Sequence, residues 1–192
     1  MTLVPLREEL ELKARVENAD ALRKAIVSAG AELVYRGAMM DRRFDRRGRL
    51  ERRDQVVRLR VYHPADRSQE WGVLGWKGPV HRKGEYRARE EWESRVEDPK
   101  ATLVVLRRLG YKIVLRIDRA VEQYRLGDAT LRLEWYPAMD TLLEVEGAPD
   151  GIERAITATG LPRGSFLPES LSYFTRAYEQ RTGKAARVSR RS

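Results

Sequence analysis

In one extended segment after another, this sequence places charge at every second position. Glu9, Glu11 and Lys13 share a parity, as do Arg58 with Arg60, Arg87 and Arg89 with Glu91 and Glu93, Arg132 with Glu134, and Glu144 with Glu146. The positions between them are mostly apolar: Leu10, Leu12 and Ala14 in the first segment, Val57, Leu59 and Val61 in the second. A period of two sends alternate side chains to opposite faces of a strand, so each segment carries one ionic and one apolar face. A single such strand reads as the exposed side of an antiparallel sheet. Five together, in a chain that also contains helices able to cover the apolar faces, point to ionic faces lining a closed or nearly closed sheet. The expected fold is α+β: an eight-stranded antiparallel β-barrel forming a tunnel with a charged interior, with helices packed outside.

Eight extended segments are legible, at 6–16, 32–44, 55–62, 70–77, 85–96, 111–126, 129–135 and 141–145. Turn signals at Arg47-Gly48, His63-Pro64-Ala65-Asp66, Lys83-Gly84 and Gly127-Asp128 imply hairpins and hence mostly antiparallel pairing. Helical spacing follows Asn18 up to Gly30, Asp98-Pro99 up to Gly110, and Pro149-Asp150 up to Gly160, with a last helix over 169–181. The 192 residues suit a single domain over 1–182. The basic tail 183–192 has no core anchor and is expected to be disordered. Hydrophobic residues make up 42% of the chain, enough for a packed core, and 38 Lys and Arg against 29 Asp and Glu exclude a simple polycation. The absence of cysteine fits a reducing compartment. No apolar run is long enough for a membrane span, and Met1–Arg7 is too short and polar for a signal peptide, so a cytoplasmic protein without a membrane role is expected.

A tunnel lined by carboxylates and guanidinium groups suits a polyphosphate held with divalent cations. Carboxylate oxygens suit Mg²⁺ or Mn²⁺, and Arg and Lys pair with phosphate oxygens. Mutual salt bridging of the acids and bases accounts for part of the same pattern. His63 and His81 lie in separate turns without metal spacing, and neither a P-loop nor a G-x-S-x-G nucleophile setting is present. Trp71, Trp76, Trp92 and Tyr62 are candidates either to stack on an organic base or to pack the fold. Nine arginines between Arg42 and Arg60 against three acids raise nucleic-acid binding as a competing class, which the alternation of Arg58 and Arg60 with apolar residues disfavours.

Several of these segments match a known family in order. Glu9-Leu-Glu11-Leu-Lys13 resembles the ExExK signature of the CYTH superfamily, the triphosphate tunnel metalloenzymes that include class IV adenylyl cyclases, thiamine triphosphatases and inorganic triphosphatases. Asp41-Arg-Arg-Phe44-Asp45 is similar to its D-x-[YF]-[FY]-D stretch, Arg58-Leu-Arg60 to its LRxR strand, and Trp76-Lys77-Gly78-Pro79 to its K-G-P turn. Arg89-Glu-Glu91-Trp-Glu93 resembles its R-x-E-x-E strand, Leu109-Gly-Tyr-Lys112 its LGF-K lead-in, Glu144-Val-Glu146 its late E-[IV]-E strand, and Ser172-Tyr173 a C-terminal serine-tyrosine pair.

The resemblance implies roles for these residues. Glu9, Glu11 and Lys13 would be catalytic; Lys13, Arg58, Arg60, Lys77, Arg89, Arg116 and Arg119 would hold the triphosphate; Glu9, Glu11, Glu134, Glu144 and Glu146 would hold Mg²⁺ or Mn²⁺, with Glu91 and Glu93 in support. Glu134 stands where the family usually has aspartate, Asp118 interrupts the basic pair Arg116 and Arg119, and Asp140 replaces a glycine turn. The expected function is metal-dependent hydrolysis of a triphosphate such as ATP, tripolyphosphate or thiamine triphosphate. The alternatives are class IV adenylyl cyclase activity, making cyclic AMP and pyrophosphate, or noncatalytic binding of polyphosphate or nucleic acid. A homodimer through a barrel edge stays open.

Overall fold

The computed structural model describes residues 8–190. Its order is β1 (Glu8–Val16), α1 (Ala19–Ser28), β2 (Glu32–Asp45), β3 (Val56–Pro64), β4 (Trp71–Lys77), β5 (His81–Lys83), β6 (Tyr86–Val96), α2 (Pro99–Arg108), β7 (Lys112–Leu126), β8 (Ala129–Trp135), β9 (Thr141–Glu146), α3 (Pro149–Thr159) and α4 (Leu171–Thr182). Eight strands run in the order β1-β9-β8-β7-β2-β3-β4-β6, and β6 pairs back with β1 to close the barrel; β5 is a ninth strand on β6. Every pairing is antiparallel. Closure places Glu9 opposite Arg89 and Glu11 opposite Arg87, so the first strand's acids meet the fifth segment's bases. β5 was not anticipated, because three exposed residues carry no readable period.

The first two helices start where their caps stand. Asn18 accepts a hydrogen bond from the Ala21 N–H and Asp98 from the Ala101 N–H, each satisfying an N–H that the first turn leaves without a partner. α3 ends on Gly160 at φ 70°, a left-handed cap that glycine adopts without steric cost. The apolar strand faces point outward, as the parity requires. Leu10, Leu12, Leu131, Leu133, Leu143 and Val145 bury against Leu22 and Ile26 of α1 and Ile152 and Ile156 of α3. Across the barrel, Phe44 and Leu59 bury against Leu106 of α2. Each such side chain contributes about 1.5–3 kcal/mol, so the hydrophobic core lies between barrel and helices and leaves the interior to charge. One interior segment is an exception, with Met39, Tyr62 and Val121 packed beside Tyr35, Trp71 and Val73.

Backbone bonds tie the C-terminal chain to the barrel. Leu167 exchanges two backbone hydrogen bonds with Lys13, of 2.9 and 2.8 Å, on the part of β1 beyond its pairing with β6. Arg187 exchanges two with Ala138, and the Val188 carbonyl accepts from the Asp118 N–H at 2.8 Å. Through residue 190 the tail lies along the barrel as a strap held by these backbone bonds, which no side-chain pattern announces; residues 191 and 192 lie outside the described residues. No helix among the described residues is long and apolar enough to cross a membrane.

Candidate active site

The inward-facing side chains line two connected chambers that share Glu9, Arg58, Arg60 and Arg132. The larger, a cavity of about 270 Å³, is lined by nine bases and five acids, together with Ser170, Leu171, Ser172 and Thr175 of α4 and Val188 of the strap. The smaller is lined by Glu8, Glu9, Glu91, Glu93 and Glu146 against Arg58, Arg60 and Arg132. Charge is thus segregated along the tunnel, basic at the α4 end and acidic at the other.

Three carboxylates converge between these zones. Glu9, Glu11 and Glu144 each offer an oxygen within 4.8 Å of the others, an all-oxygen donor set suited to a hard divalent cation. Each is also engaged by a base of the tunnel wall. Lys77 Nζ donates to Glu9 at 2.7 Å and lies 2.7 Å from Glu91, while Lys13 Nζ lies 2.8 Å from Glu11 and 2.6 Å from Glu144. Arg87 pairs with Glu11 and Arg132 with Glu144. Burial by itself would raise the Glu9 pKa, but Lys77 beside it brings it down to about 2. Burial likewise opposes ionisation of Glu144, and Lys13 and Arg132 overcome it, holding the carboxyl well below its usual range. Glu146 behaves differently. Burial, reinforced by Glu9 and Glu144 and only partly offset by Arg132 at 3.4 Å, pushes its pKa up to about 7.

The bases are oriented by neighbours. Arg58 reaches over Gly75, its register partner on β4, to donate to Glu93 at 2.7 Å and to Glu91 at 3.1 Å. A Cβ at position 75 would lie 3.2 Å from Glu93 Oε1, so glycine there leaves the space this bond crosses. Arg89 donates to the Gly78 carbonyl at 2.7 Å and to the Asp54 carbonyl at 2.6 Å, so the K-G-P turn positions a tunnel base. Asp41, 2% exposed, accepts from Arg60 Nε and Nη2 at 2.8 and 3.1 Å and from two Arg119 nitrogens at 3.2 Å.

Most of the residues expected at the site line the tunnel: Glu9, Glu11, Lys13, Arg58, Arg60, Lys77, Arg89, Arg119, Glu134 and Glu144 face the larger chamber, and Glu91, Glu93 and Glu146 the smaller. Arg116 is not brought to it. It is exposed on β7, and residues 116 and 119 are three positions apart on a strand, so they take opposite faces. Glu134 is inside but accepts from Arg119 Nε at 2.7 Å and from the Tyr136 hydroxyl, away from the three-carboxylate cluster. Asp118 faces outward, where it pairs with Arg42 at 2.6 Å and accepts from the Arg190 N–H of the strap; Asp140 holds Arg181 of α4. Asp41, Arg43, Arg87 and Arg132 complete the lining, and the parity of 41 and 43 and of 87 and 132 was the signal that places them. Tyr62 and Trp71 stack on each other, centroids 3.8 Å apart, with Arg95 over Trp71, so both rings pack within the protein.

Comparison with known proteins places this arrangement in a broader setting. The CYTH domain family model matches residues 7–154. A candidate adenylate cyclase from Vibrio parahaemolyticus superposes with a TM-score of 0.74 at 18% identity, over 88% of this chain and 98% of that one. The PH1819 protein of Pyrococcus horikoshii superposes with a TM-score of 0.69 at 22% identity, over 90% and 99%. A candidate adenylyl cyclase from Hippeastrum with a dominant triphosphatase activity superposes with a TM-score of 0.61 at 18% identity, over 95% and 100%. At these identities the likeness is one of fold. Comparison with curated proteins gives no match.

Proposed function

The chain belongs to the CYTH domain family, and from that premise we propose that its tunnel binds a triphosphate with a divalent cation and hydrolyses it, releasing orthophosphate. The observation that carries this reading is the convergence of Glu9, Glu11 and Glu144 within a wall of bases that now neutralise them. The donor set fits Mg²⁺ or Mn²⁺, which Glu9, Glu11 and Glu144 would hold, with Glu146 close by in the acidic chamber. A bound cation would supply charge neutralisation on the phosphate oxygens.

The protein's own residues do the rest. If the three carboxylates turned to a cation, Lys13 and Arg87 would lose their present anionic partners and Lys77 would keep only Glu91, so that all three would become available to phosphate oxygens. These side chains would thereby exchange one set of ion pairs for another, so that filling the carboxylate site and filling the phosphate site would favour each other. Arg58, Arg60, Arg89 and Arg119 hold the phosphate chain in one register, so that water approaches the terminal phosphorus in line with the departing oxygen. The P–O bond to the terminal group breaks, water's oxygen becomes part of orthophosphate, and the diphosphate end leaves as an anion in the basic chamber. Glu91 and Glu93 steady Lys77 and Arg58 throughout. No side chain needs to become covalently modified.

The test is ³¹P NMR of the purified protein with tripolyphosphate, ATP or thiamine triphosphate, each with Mg²⁺, Mn²⁺ or EDTA. Orthophosphate with a diphosphate product, dependent on metal, is expected. Cyclic AMP with pyrophosphate from ATP would replace hydrolysis by cyclisation, and no turnover with any pairing would overturn the enzymatic reading.

A further inference from the structure

Arg43 is the one base of the larger chamber that forms no ion pair with a carboxylate among the described residues, Asp41 acting on it only from a distance. Lys13, Arg58, Arg60, Lys77, Arg87, Arg89, Arg119 and Arg132 are each salt-bridged. Arg43 makes no hydrogen bond or ion pair there, and its Nε is buried without a partner. Arg43 as a whole is half-buried, but a buried N–H left without an acceptor is costly, and an absent anion is one of the few things that would satisfy it.

A second anion-seeking group lines the same chamber. Ser170, Leu171 and Ser172 open α4, a twelve-residue helix with no side-chain cap and no acid in its first turn. The Ser170 hydroxyl is 2.8 Å from that of Ser172 instead of closing the helix end. The Tyr173 N–H is taken by the Ser170 carbonyl at 3.0 Å, while the remaining first-turn N–H groups and the positive end of the helix dipole are of a kind that favours a phosphoryl group. Burial and the neighbouring Arg58, Arg89 and Arg119, partly offset by Asp41, bring the Arg43 pKa down to about 10, so it stays charged at neutral pH.

We propose that Arg43 and the N-terminus of α4 form an additional anion subsite at the basic mouth of the tunnel, which takes a fourth phosphoryl group, so that the preferred ligands are linear polyphosphates longer than three units. This rests on the triphosphate reading of the tunnel and names the ligand length it selects. The fourth group comes from inorganic tetrapolyphosphate or from the distal end of a nucleoside tetraphosphate.

The test uses the full chain, with thermal-shift titrations in EDTA and in Mg²⁺, and kcat/KM in Mg²⁺, for tripolyphosphate, tetrapolyphosphate, ATP and adenosine 5′-tetraphosphate. Tetrapolyphosphate is expected to bind about tenfold tighter than tripolyphosphate, the increment of one charge-assisted contact set. Arg43→Ala should erase that preference, Arg43→Lys should keep part of it, and Ser172→Glu, which places a carboxylate where the helix dipole tolerates it, should erase it from the other side. Arg58→Ala should weaken all four ligands together and leave their ratio. An equal increment for adenosine tetraphosphate over ATP assigns the subsite to either source; an increment for the inorganic chain alone assigns it to bare polyphosphate. Equal affinity of wild-type protein for tri- and tetrapolyphosphate, or an unchanged ratio in Arg43→Ala, overturns the subsite and leaves the tunnel reading intact. Failure of every phosphate ligand to bind overturns both.

Discussion

Asp41 offers the sharpest test of how a tunnel full of charge stays folded. Its carboxylate, 2% exposed, accepts four hydrogen bonds of 2.8 to 3.2 Å from Arg60 and Arg119 and lies 3.8 Å from Arg58. Asp41→Asn preserves shape but leaves three guanidinium groups sharing one wall without that negative charge. Removing one partner of a buried ion pair costs about 3–5 kcal/mol because the remaining charge stays desolvated. For a chain of this size that is a fall of roughly 6–20 °C in Tm. Burial by itself would raise the Asp41 pKa, yet Arg119, Arg60 and Arg58 hold it well below the usual carboxylate range. A depressed carboxyl contributes its full stability above an unfolded pKa of about 4 and loses it as pH falls, so wild type and variant should converge in acid. The assay is urea unfolding followed by tryptophan fluorescence at pH 7.5 and through the acid range. Added tripolyphosphate should narrow the gap at pH 7.5, since its oxygens supply the missing anion. A loss below about 1 kcal/mol at neutral pH would refute the reasoning, showing these arginines to be as well solvated as a surface pair.

Glu11→Gln should lower metal-dependent turnover by at least about 100-fold, a loss beyond that typical for partners behind a ligand, with the far-ultraviolet circular dichroism unchanged. Arg58→Ala should raise KM for the triphosphate about tenfold, whereas Arg116→Ala, on the outer face, should leave steady-state kinetics within experimental scatter; equal losses would place Arg116 in the tunnel after all. Glu146, with a folded pKa of about 7 against an ordinary 4.5, should make the metal-free protein less stable as pH rises from 4.5 through 7. With 25% of its side chain exposed, the effect should stay within about 2–3 kcal/mol. Glu146→Gln should flatten that limb of the stability profile measured in EDTA, and an unchanged slope would assign the pH dependence to another group.

Much of the fold was legible because strand period and helix caps are local properties. Asn18, Asp98 and Pro149 mark helix starts through bonds and dihedrals that span a few residues, and the parity of Glu9, Glu11 and Lys13 separates an ionic from an apolar face before any partner is known. Parity alone also separates Arg116 from Arg119; the family pattern had drawn the two together. The strap was not legible, since its backbone bonds to Ala138 and Asp118 depend on where β7 and the following loop lie, and a run of Lys, Arg, Ala and Ser carries no trace of them.

The sequence by itself determined that this chain would close a sheet around charge, because alternation at period two admits few other places for so many coherent ionic faces once helices cover the apolar ones. Only the tertiary structure decided which charges neutralise which. Register and barrel closure bring Glu9, Glu11 and Glu144 from β1 and β9 to within 4.8 Å, gather Arg60 and Arg119 on Asp41, and leave Arg43 without an ion pair among the described residues. Coulombic pairing acts through space over a few ångströms, and the residues it joins here lie as many as 131 positions apart in the chain, from Lys13 to Glu144.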